Sequence, residues 1–316
     1  MRTRIALVTA LTLLAAAGCS GDTTPLPGQP SASAPAGPAA IADTSCQPRK
    51  SLRPSGALPA PGHMPAGSYM AEIQKRGRLV LGTSQDTLLF SSRNPFNGTV
   101  EGFDVDTARQ IAKAIFNDPN KIQIKVIAYS DRIKQASGVD PANKVDLVAD
   151  TMTINCARWK DVDFSTVYYD AGQKVLVSTA SKATGIQDLS GQKVCAATGS
   201  TSLVNITTAN PKAVAVGKPA FGDCLVAFQL GQVDAVSTDD VILVGLSAQD
   251  PYAKVVGARF TEEPYGMAIS KDHPEFTRFV NAVLAQNRAD GTWKSIYDKW
   301  LGKFGPAPAP PTAEYK

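Results

Sequence analysis

Strand and helix patterns alternate through most of this chain, and this alternation limits the fold more than any other feature. Residues 78–82 form a short buried-strand pattern, and apolar residues then repeat at helical spacing from Val105 to Phe116, behind the acidic Asp104 and Asp106. Further strands are predicted at 122–127, 145–149, 174–178, 194–197, 233–237, 255–256 and 266–270. Helices are predicted around 132–137, 202–208, 224–231, 240–247 and 274–288, and after Gly291. This order predicts an α/β fold with mostly parallel sheets.

The N-terminal segment 1–18 has the pattern of a signal peptide. Arg2 and Arg4 precede an apolar run that is too short to span a membrane. The run ends in Ala15-Ala16-Ala17-Gly18-Cys19, which resembles a bacterial lipobox. We therefore expect a diacyl anchor on Cys19 that holds the protein at the outer face of the cytoplasmic membrane. Simple secretion, with Cys19 incidental, is the alternative.

Two proline-rich segments flank the alternating region. Residues 19–71 are rich in Pro, Ala, Gly and Ser and offer too little apolar surface to fold, so a lipid-anchored tether is predicted here. Cys46 lies inside this stretch, where a disulfide would pin part of the tether to the folded body. Residues 306–316 are predicted to be a second Pro-rich tail.

Charge and histidine content argue against several functional classes. The chain carries 32 basic residues, two of them in the segment 1–18, and 28 acidic residues. This near balance argues against nucleic-acid binding, which usually requires a basic stripe. The two histidines, His63 and His273, have no other potential metal ligand nearby in the sequence. We therefore expect no histidine-based catalysis, no zinc site with histidine ligands and no cofactor.

The cysteines that follow Cys19 are Cys46, Cys156, Cys195 and Cys224. An even number of cysteines in an exported protein predicts disulfides, and the number alone leaves three connectivities open. The wide spacing excludes the Cys-x-x-Cys motifs of redox and zinc sites.

Two short segments that follow predicted strands carry the most specific chemistry. Residues 151–158 place hydroxyl groups, free backbone N–H groups and the guanidinium of Arg158 just after one strand. Residues 233–240 place a carboxylate just after another strand. The first set suits a carboxylate and the second suits an ammonium group. Together they predict a clamp for a free α-amino acid.

Several motifs follow one another in a specific order between residues 72 and 305. They are Glu101-Gly102-Phe103-Asp104-Val105-Asp106, Met152-Thr153-Ile154, Arg158, Phe164-Ser165, Asp188-Leu189-Ser190-Gly191, Gly199-Ser200-Thr201, Asp234-Ala235, Tyr265-Gly266 and Asp290-Gly291-Thr292-Trp293. This order resembles the bacterial extracellular solute-binding proteins of family 3, the polar amino-acid receptors of ABC importers. The lipobox, the tether and the cysteine positions most resemble the actinobacterial glutamine-binding-type lipoproteins of that family.

The resemblance implies the type II periplasmic-binding-protein fold, in which two α/β lobes enclose a ligand cleft. Lobe 1 would combine residues 72–172 with 261–305, and lobe 2 would be 173–260. Two hinge crossings would join the lobes near 170–173 and 261–263. The ligand would bind between the lobes, at the carboxyl ends of the strands.

The resemblance also implies roles for individual residues. Arg158 would bind the ligand α-carboxylate, together with the backbone N–H groups of Thr153 and Thr201. Asp239 would take the ammonium group, assisted by the Thr151 carbonyl and the Thr153 hydroxyl. The same loops contribute Met152, Gly199 and Ser200. Because Arg158 and Asp239 belong to different lobes, one ligand contacts both only when the lobes close.

Three positions depart from the family pattern. Ser84 stands where many members have an aspartate that also holds the ammonium group. Thr87 and Leu88 occupy the region where an aromatic residue normally covers the ligand. Asp150 stands where a small residue is common, and it adds a negative charge at the mouth of the site.

The class of ligand depends on Arg132. In the glutamate and aspartate receptors of the family an arginine at this place takes the distal carboxylate, so the resemblance favours L-glutamate, L-aspartate or their amides. Asp150 opposes an acidic ligand, and a basic amino acid is therefore the second choice. The alternatives are that Arg132 is an exposed arginine at a helix start and that Arg158 forms a surface ion pair with Asp161 or Asp163.

The implied lobes favour one disulfide scheme. Cys195 on a strand and Cys224 at a helix start both fall in lobe 2, so we expect them to pair. Cys46 would then pair with Cys156 and link the tether to lobe 1.

The resemblance implies a monomer that delivers its amino acid to an ABC permease and ATPase, with the lipid anchor as its membrane contact. A ligand sensor for a membrane signalling protein is an alternative that the same closing lobes would serve. A secreted dehydratase of the same fold is a further alternative, with Asp150 or Glu263 as its acid. We expect a binding protein and not an enzyme.

Overall fold

The computed structural model describes residues 46–139 and 144–316. The predicted signal peptide and Cys19 lie outside these residues. The helices are α1 (Tyr69–Arg76), α2 (Phe103–Phe116), α3 (Arg132–Ser137), α4 (Thr201–Ala209), α5 (Phe221–Gln229), α6 (Asp240–Ser247), α7 (Pro274–Ala289) and α8 (Thr292–Trp300). None of the helices in the described part of the chain is long and apolar enough to cross a membrane.

The strands are short, and most of them belong to two sheets. They are β1 (Lys50–Ser51), β2 (Leu79–Thr83), β3 (Asp86–Thr87), β4 (Ser91–Arg93), β5 (Val100–Glu101), β6 (Ile122–Val126), β7 (Leu147–Val148), β8 (Val162–Phe164), β9 (Tyr169–Ala171), β10 (Gln173–Ser178), β11 (Lys193–Ala197), β12 (Val214–Lys218), β13 (Ala235–Asp239), β14 (Ala253–Val256), β15 (Glu263–Tyr265), β16 (Ala268–Ser270) and β17 (Glu314–Tyr315).

A five-stranded sheet lies at the centre of each lobe. The strand order is β6-β2-β7-β16-β8 in lobe 1 and β12-β11-β13-β10-β14 in lobe 2. β2 and β11 run parallel to both neighbours, whereas β16 and β10 run antiparallel to both of theirs. The sheets are therefore mixed and not mostly parallel as predicted. The reason is that β10 and β16 enter their sheets directly after the chain crosses between the lobes, and so arrive from the opposite direction.

Helix α2 shows how the sequence pattern builds the core of lobe 1. Its apolar residues are buried on the face that the helical spacing predicts, including Val105, Ile111 and Ile115. Asp104 and Asp106 lie in its first turn, where negative charge is favourable. The helix ends at Asn117, whose φ of 60° is left-handed. This helix fixes Asp104 beneath the loop that follows β7.

A two-stranded ribbon connects the lobes. β9 pairs with β15 in antiparallel register, with Glu263 opposite Ala171 and Tyr265 opposite Tyr169. The ribbon lies at the two crossings that the sequence predicts. Residues Glu263 and Tyr265 therefore face the region where the two lobes meet.

The terminal segments differ from the predicted tether and tail. β1 pairs in parallel with β17, so part of the segment 46–71 lies against part of the tail 306–316. Arg49 forms ion pairs with Asp170 at 2.8 Å and with Glu314 at 3.3 Å. Ser51 is buried, and its Oγ donates to the Phe164 carbonyl at 2.5 Å. The end of the predicted tether belongs to the folded body, because Met64, Tyr69 and Met70 are buried in the hydrophobic core and α1 begins at Tyr69. The proline-rich composition hides these contacts, since the few apolar residues that make them are widely spaced.

Both predicted disulfides are present. Cys195 pairs with Cys224 inside lobe 2, and Cys46 pairs with Cys156, each with a Cα–Cα distance of 5.6 Å. The Trp159 indole N–H also donates to the Pro48 carbonyl at 2.9 Å, beside the second bridge. That disulfide thus anchors the N-terminal segment three residues from Thr153 and two from Arg158.

A small three-stranded sheet of β3, β4 and β5 was not predicted from the sequence. Its strands have two or three residues each and are mostly polar, so they show no alternation that sequence reasoning can detect. The sheet brings Ser91 and Thr87 next to Ser84 at the carboxyl end of β2.

Candidate functional site

The loop after β7 forms one wall of the cleft between the lobes. Thr151 has a φ of 43°, a left-handed conformation that a β-branched residue rarely adopts. Asp104 holds it there, because its Oδ2 accepts from the Thr151 N–H at 2.7 Å while its Oδ1 accepts from the Tyr168 hydroxyl at 2.8 Å. Burial raises the pKa of Asp104 to about 7. Such backbone strain concentrates at ligand sites.

The residues after Thr151 divide between the core and the cleft. The Met152 side chain is fully buried in a core cluster with Ile154 and Trp159, so only its backbone belongs to the site. The Thr153 hydroxyl donates to Glu263 Oε2 at 2.6 Å and lies 3.4 Å from the Thr201 hydroxyl. The loop of lobe 1 therefore meets the start of α4 in lobe 2.

Arg158 begins a short helical turn, and its side chain reaches across the cleft. Its guanidinium donates to the Thr153 carbonyl at 2.6 Å and to the Gly199 carbonyl of lobe 2 at 3.2 Å. Asp163, one of the two surface partners considered as an alternative for Arg158, instead lies 3.9 Å from Lys271. Burial, assisted by the charge of Arg132, lowers the pKa of Arg158 to about 9, so the group is still protonated at neutral pH. Further N–H donors of the guanidinium remain for a carboxylate.

The facing loop of lobe 2 depends on a glycine. Gly199 has a φ of 83°, and a Cβ there would lie 2.7 Å from the Cα of Ser130 in lobe 1. The Ser200 hydroxyl caps α4, since it accepts from the Leu203 N–H at 3.2 Å and donates to the Ala197 carbonyl at 2.6 Å. Ser200 thus serves the helix, while the first-turn N–H groups from Thr201 onward have no carbonyl within the helix to bond.

Asp239 ends β13 and lies at the N-cap position of α6. Its Oδ2 accepts from the Tyr265 hydroxyl at 2.6 Å, and its Oδ1 has no hydrogen-bond partner among the residues of the two described ranges. Burial, together with the negative charge of Glu263, raises the pKa of Asp239 well above its ordinary value. The neighbouring Asp240 is the first residue of α6 and forms an ion pair with Arg259 at 2.5 Å. Of these two adjacent aspartates, Asp239 is therefore the one whose carboxylate keeps an unbonded oxygen for a cation.

Glu263 of the connecting ribbon is a buried carboxylate with four hydrogen-bond donors. Its Oε2 accepts from Thr153 at 2.6 Å and from Thr201 at 2.8 Å, one residue from each lobe. Its Oε1 accepts from Asn205 at 2.9 Å and from Thr261 at 2.7 Å. Glu263 thus orients the two threonine hydroxyls that line the cleft. Sequence reasoning named Glu263 only as a possible catalytic acid and gave it no partner.

Arg132 is buried, which excludes the exposed alternative. Its guanidinium donates to three backbone carbonyls, those of Tyr129 at 3.1 Å, Asp150 at 2.9 Å and Gly199 at 3.3 Å. It also lies 4.7 Å from the centre of the Tyr129 ring. These contacts hold a positive charge between the lobes without neutralising it by an ion pair.

Asp150 lies fully buried beside Arg132 and Ser84. Its Oδ1 accepts from the Ser84 N–H at 3.0 Å, whereas its Oδ2 has no partner within residues 46–139 and 144–316. The Ser84 hydroxyl bonds to Thr87 at 3.1 Å and to Ser91 at 2.8 Å. Asp150 therefore contributes a carboxylate next to Ser84, the position where many members of the resembled family have an aspartate.

Several buried polar atoms around the cleft lack a hydrogen-bond partner in the described part of the chain. They are Thr83 Oγ1, Asp150 Oδ2, Thr151 Oγ1, Gln173 Oε1 and Asp239 Oδ1. Buried polar groups of folded proteins are usually paired, because an unpaired one costs about 1–3 kcal/mol. Together with the guanidinium groups of Arg132 and Arg158, these atoms suit a small ligand that carries both charges.

The lobes are in contact, so the structure corresponds to a closed arrangement. Asp86 of lobe 1 accepts from the Gly222 N–H at the start of α5, at 2.9 Å. The rings of Tyr129 and Phe221 pack edge to face, with centroids 5.1 Å apart. Arg132 and Arg158 both bond to the Gly199 carbonyl, as described above. Across the described ranges, no three His, Cys, Asp or Glu side chains are placed to bind a metal ion.

Comparison with known proteins identifies the family. Residues 79–303 match the family described as bacterial extracellular solute-binding proteins, family 3. The chain belongs to this family. The family 3 match covers most of both lobes and leaves out residues 46–78 and 304–316 of the described chain.

Two curated relatives of this family 3 protein are receptors for amino acids. It is 39% identical over 233 residues to the ABC transporter glutamine-binding protein GlnH of Bacillus subtilis, covering 73% of this chain and 84% of that protein. It is 30% identical over 254 residues to the glutamate-binding protein GluB of Corynebacterium efficiens, covering 78% and 86%.

A solved structure shows the same fold. The ancestral amino acid-binding protein AncCDT-1, a precursor of cyclohexadienyl dehydratase, is 34% identical to this chain with a TM-score of 0.66, covering 74% of this chain and 100% of that one. The predicted type II periplasmic-binding-protein fold, with its two α/β lobes, is therefore confirmed.

The structure brings most of the predicted site residues together. Arg158, Arg132, Thr153 and Gly199 are linked by direct hydrogen bonds. The negative charge of Asp239 is close enough to Arg158 to oppose the lowering of the Arg158 pKa by burial. Sequence reasoning missed Tyr265, the partner of Asp239, although it quoted the Tyr265-Gly266 motif. It also missed Tyr129, whose ring packs against Phe221 of lobe 2, and Gln173, whose side-chain amide donates to Ser202 and Ser237 within lobe 2.

Proposed function

We propose that this protein is an extracytoplasmic receptor for a polar L-amino acid, which it captures for an ABC importer. The observation that carries the proposal is the meeting of Arg158 and Asp239 from different lobes at one cleft, where Asp239 Oδ1 has no partner among the described residues. Arg158 would bind the α-carboxylate and Asp239 the α-ammonium group. A ligand that contacts both groups stabilises the closed lobes by those contacts.

We assign the ligand to the class of acidic amino acids and their amides, which comprises glutamate, aspartate, glutamine and asparagine. The charge of Arg132 lies between the lobes without an ion-pair partner in the described ranges, as a distal carboxylate or amide oxygen requires. The names of the two curated relatives, a glutamine-binding and a glutamate-binding protein, support this class. A long basic side chain would instead bring a second positive charge next to Arg132.

The ligand class predicts the effect of replacing Arg132. In a thermal-shift screen of the twenty amino acids, the four acidic and amide ligands should stabilise the wild-type protein more than lysine or arginine. Arg132→Met should reduce the preference for glutamate over its apolar analogues by roughly 2–4 kcal/mol, because a bidentate contact with the distal carboxylate is lost. Lys134→Met, two residues further on the same helix, is the matched control. The largest shift with lysine or arginine would contradict the assignment.

Binding and not catalysis is the activity that the carboxylates favour. Glu263 accepts four hydrogen bonds from the protein, so both of its oxygen atoms are already used to hold residues of the two lobes and the ribbon. The two curated relatives are named as binding proteins. A membrane sensor as the partner, in place of a permease and ATPase, would use the same closed lobes, and the neighbouring reading frames would distinguish the two.

We also propose that Cys19 carries a lipid anchor, on the basis of the lipobox resemblance. Growth with labelled palmitate should label the wild-type protein, and Cys19→Ser should abolish the label and release the protein into the medium. Cys46→Ser is the control, because this residue forms a disulfide and should leave the label in place. Label that persists in Cys19→Ser would contradict the anchor.

A further inference from the structure

Asp150 offers an unused carboxylate oxygen beside Arg132, the residue to which we assign the distal group of the ligand. The residue is fully buried, and its Oδ1 is held by the Ser84 N–H at 3.0 Å and by the more distant Ser91 hydroxyl at 3.5 Å. Arg132 donates at 2.9 Å to the backbone carbonyl of Asp150, so this hydrogen bond does not use the side-chain carboxylate. The Oδ2 atom has no partner among the residues that the structure describes.

The surroundings of Asp150 contain more negative than positive charge. The charged or titratable side chains that face it are Asp86, Asp104, Tyr129, Arg132 and Tyr168. Arg132 is the one cation in this set. Burial raises the pKa of Asp150, while the charge of Arg132 lowers it. A second carboxylate placed here would therefore share a single guanidinium with Asp150.

We propose, building on the function proposed above, that Asp150 contacts the distal group of the ligand and distinguishes an acid from an amide. An acidic ligand then binds with the uptake of one proton. The proton comes from solvent and binds Asp150 Oδ2, which then donates a hydrogen bond to the distal carboxylate. An amide ligand needs no proton, because its NH₂ group donates to the ionised Asp150 while Arg132 contacts its oxygen. The reason is that two carboxylates in hydrogen-bond contact do not both remain ionised.

This arrangement makes the affinity for acids, but not for amides, depend on pH. Contact with the acidic ligand raises the pKa of Asp150 above its value in the free protein. Glutamate affinity is thus greatest below the free-state pKa and falls by up to about tenfold per pH unit as the pH rises toward the bound-state pKa. Glutamine affinity should stay constant over the same range.

Calorimetric titration of the protein with glutamate and with glutamine tests the proposal. At several pH values, in phosphate and in Tris, which differ in ionisation enthalpy, glutamate should bind with proton uptake that reaches about one between the free-state and bound-state pKa of Asp150, and glutamine should bind with none. Asp150→Asn should abolish the uptake and should raise glutamate affinity relative to glutamine at pH 8 by about tenfold or more. Asp163→Asn is the matched control, because Asp163 is another largely buried aspartate of lobe 1 whose pKa burial raises, but it lies on the outer strand β8.

The outcomes separate this inference from the proposed function. If the wild-type protein binds both ligands and glutamate takes up no proton, or if Asp150→Asn keeps the proton uptake, the inference is overturned and the receptor function stands. If neither glutamate nor glutamine binds, the proposed ligand class fails and the inference falls with it. Loss of the proton uptake in Asp163→Asn would show that the group that takes up the proton lies outside the cleft. This result would also overturn the assignment to Asp150.

Discussion

Replacement of Arg158 by alanine is expected to weaken glutamate binding by at least about 2 kcal/mol, a loss of about 30-fold in affinity. The substitution leaves the ligand α-carboxylate in a closed cleft without its main cation. It also removes the bond from Arg158 to the Gly199 carbonyl that helps to hold the lobes together. Calorimetric titration measures the affinity directly.

The controls for Arg158 separate charge from geometry. Lys160→Ala removes an exposed positive charge two residues away and should change the affinity by less than about threefold. Arg158→Lys keeps the charge but loses the planar pair of donors, so it should recover only part of the affinity. The melting temperature of the free Arg158→Ala protein should stay near that of the wild type, since the side chain belongs to a cleft and not to a core. Unchanged affinity in Arg158→Ala would exclude its assigned role.

Replacement of Asp239 by asparagine is expected to weaken binding by a similar amount, at least about 2 kcal/mol. The amide keeps the size of the side chain and can still accept the hydrogen bond from Tyr265, but it no longer offsets the charge of the ligand ammonium group. The loss should appear in the affinity for every amino acid that binds, because all of them share this group.

Asp240→Asn is the matched control for Asp239. The two aspartates are adjacent and buried, but Asp240 pairs with Arg259. Its substitution should therefore lower the melting temperature of the free protein, while the affinity for glutamate changes by less than about threefold. A larger loss of affinity in Asp240→Asn than in Asp239→Asn would reverse the assignment of the ammonium site.

The sequence predicts the parts of the fold that depend on local pattern. The spacing of apolar residues from Val105 to Phe116 predicts α2, and the buried-strand pattern at 78–82 predicts β2. The disulfide scheme follows from the lobes that the family resemblance implies, and both bridges are present. The pairing of β1 with β17 could not be predicted, because it joins two-residue strands from opposite ends of the chain within proline-rich segments.

The candidate site also has residues that could be predicted from the sequence and residues that could not. Arg158 is one of the quoted family motifs, and Asp239 follows the Asp234-Ala235 motif at the end of the same predicted strand, so both positions could be predicted from the resemblance. The contacts of Glu263 with Thr153 and Thr201 could not, because they join the connecting ribbon to both lobes across long separations in the sequence. Asp150 departs from the family pattern at its position, and the structure alone shows which of its oxygen atoms is already bonded.

The central claim is that Arg158 and Asp239 clamp the two α-groups of one amino acid between the lobes. Titration of the wild-type protein with L-glutamate, glutarate and 4-aminobutyrate tests it most directly, because glutarate lacks the ammonium group and 4-aminobutyrate lacks the α-carboxylate. Both analogues should bind at least about 100-fold more weakly than L-glutamate, since each leaves one buried charge unpaired. Binding of either analogue within about threefold of L-glutamate would contradict the claim.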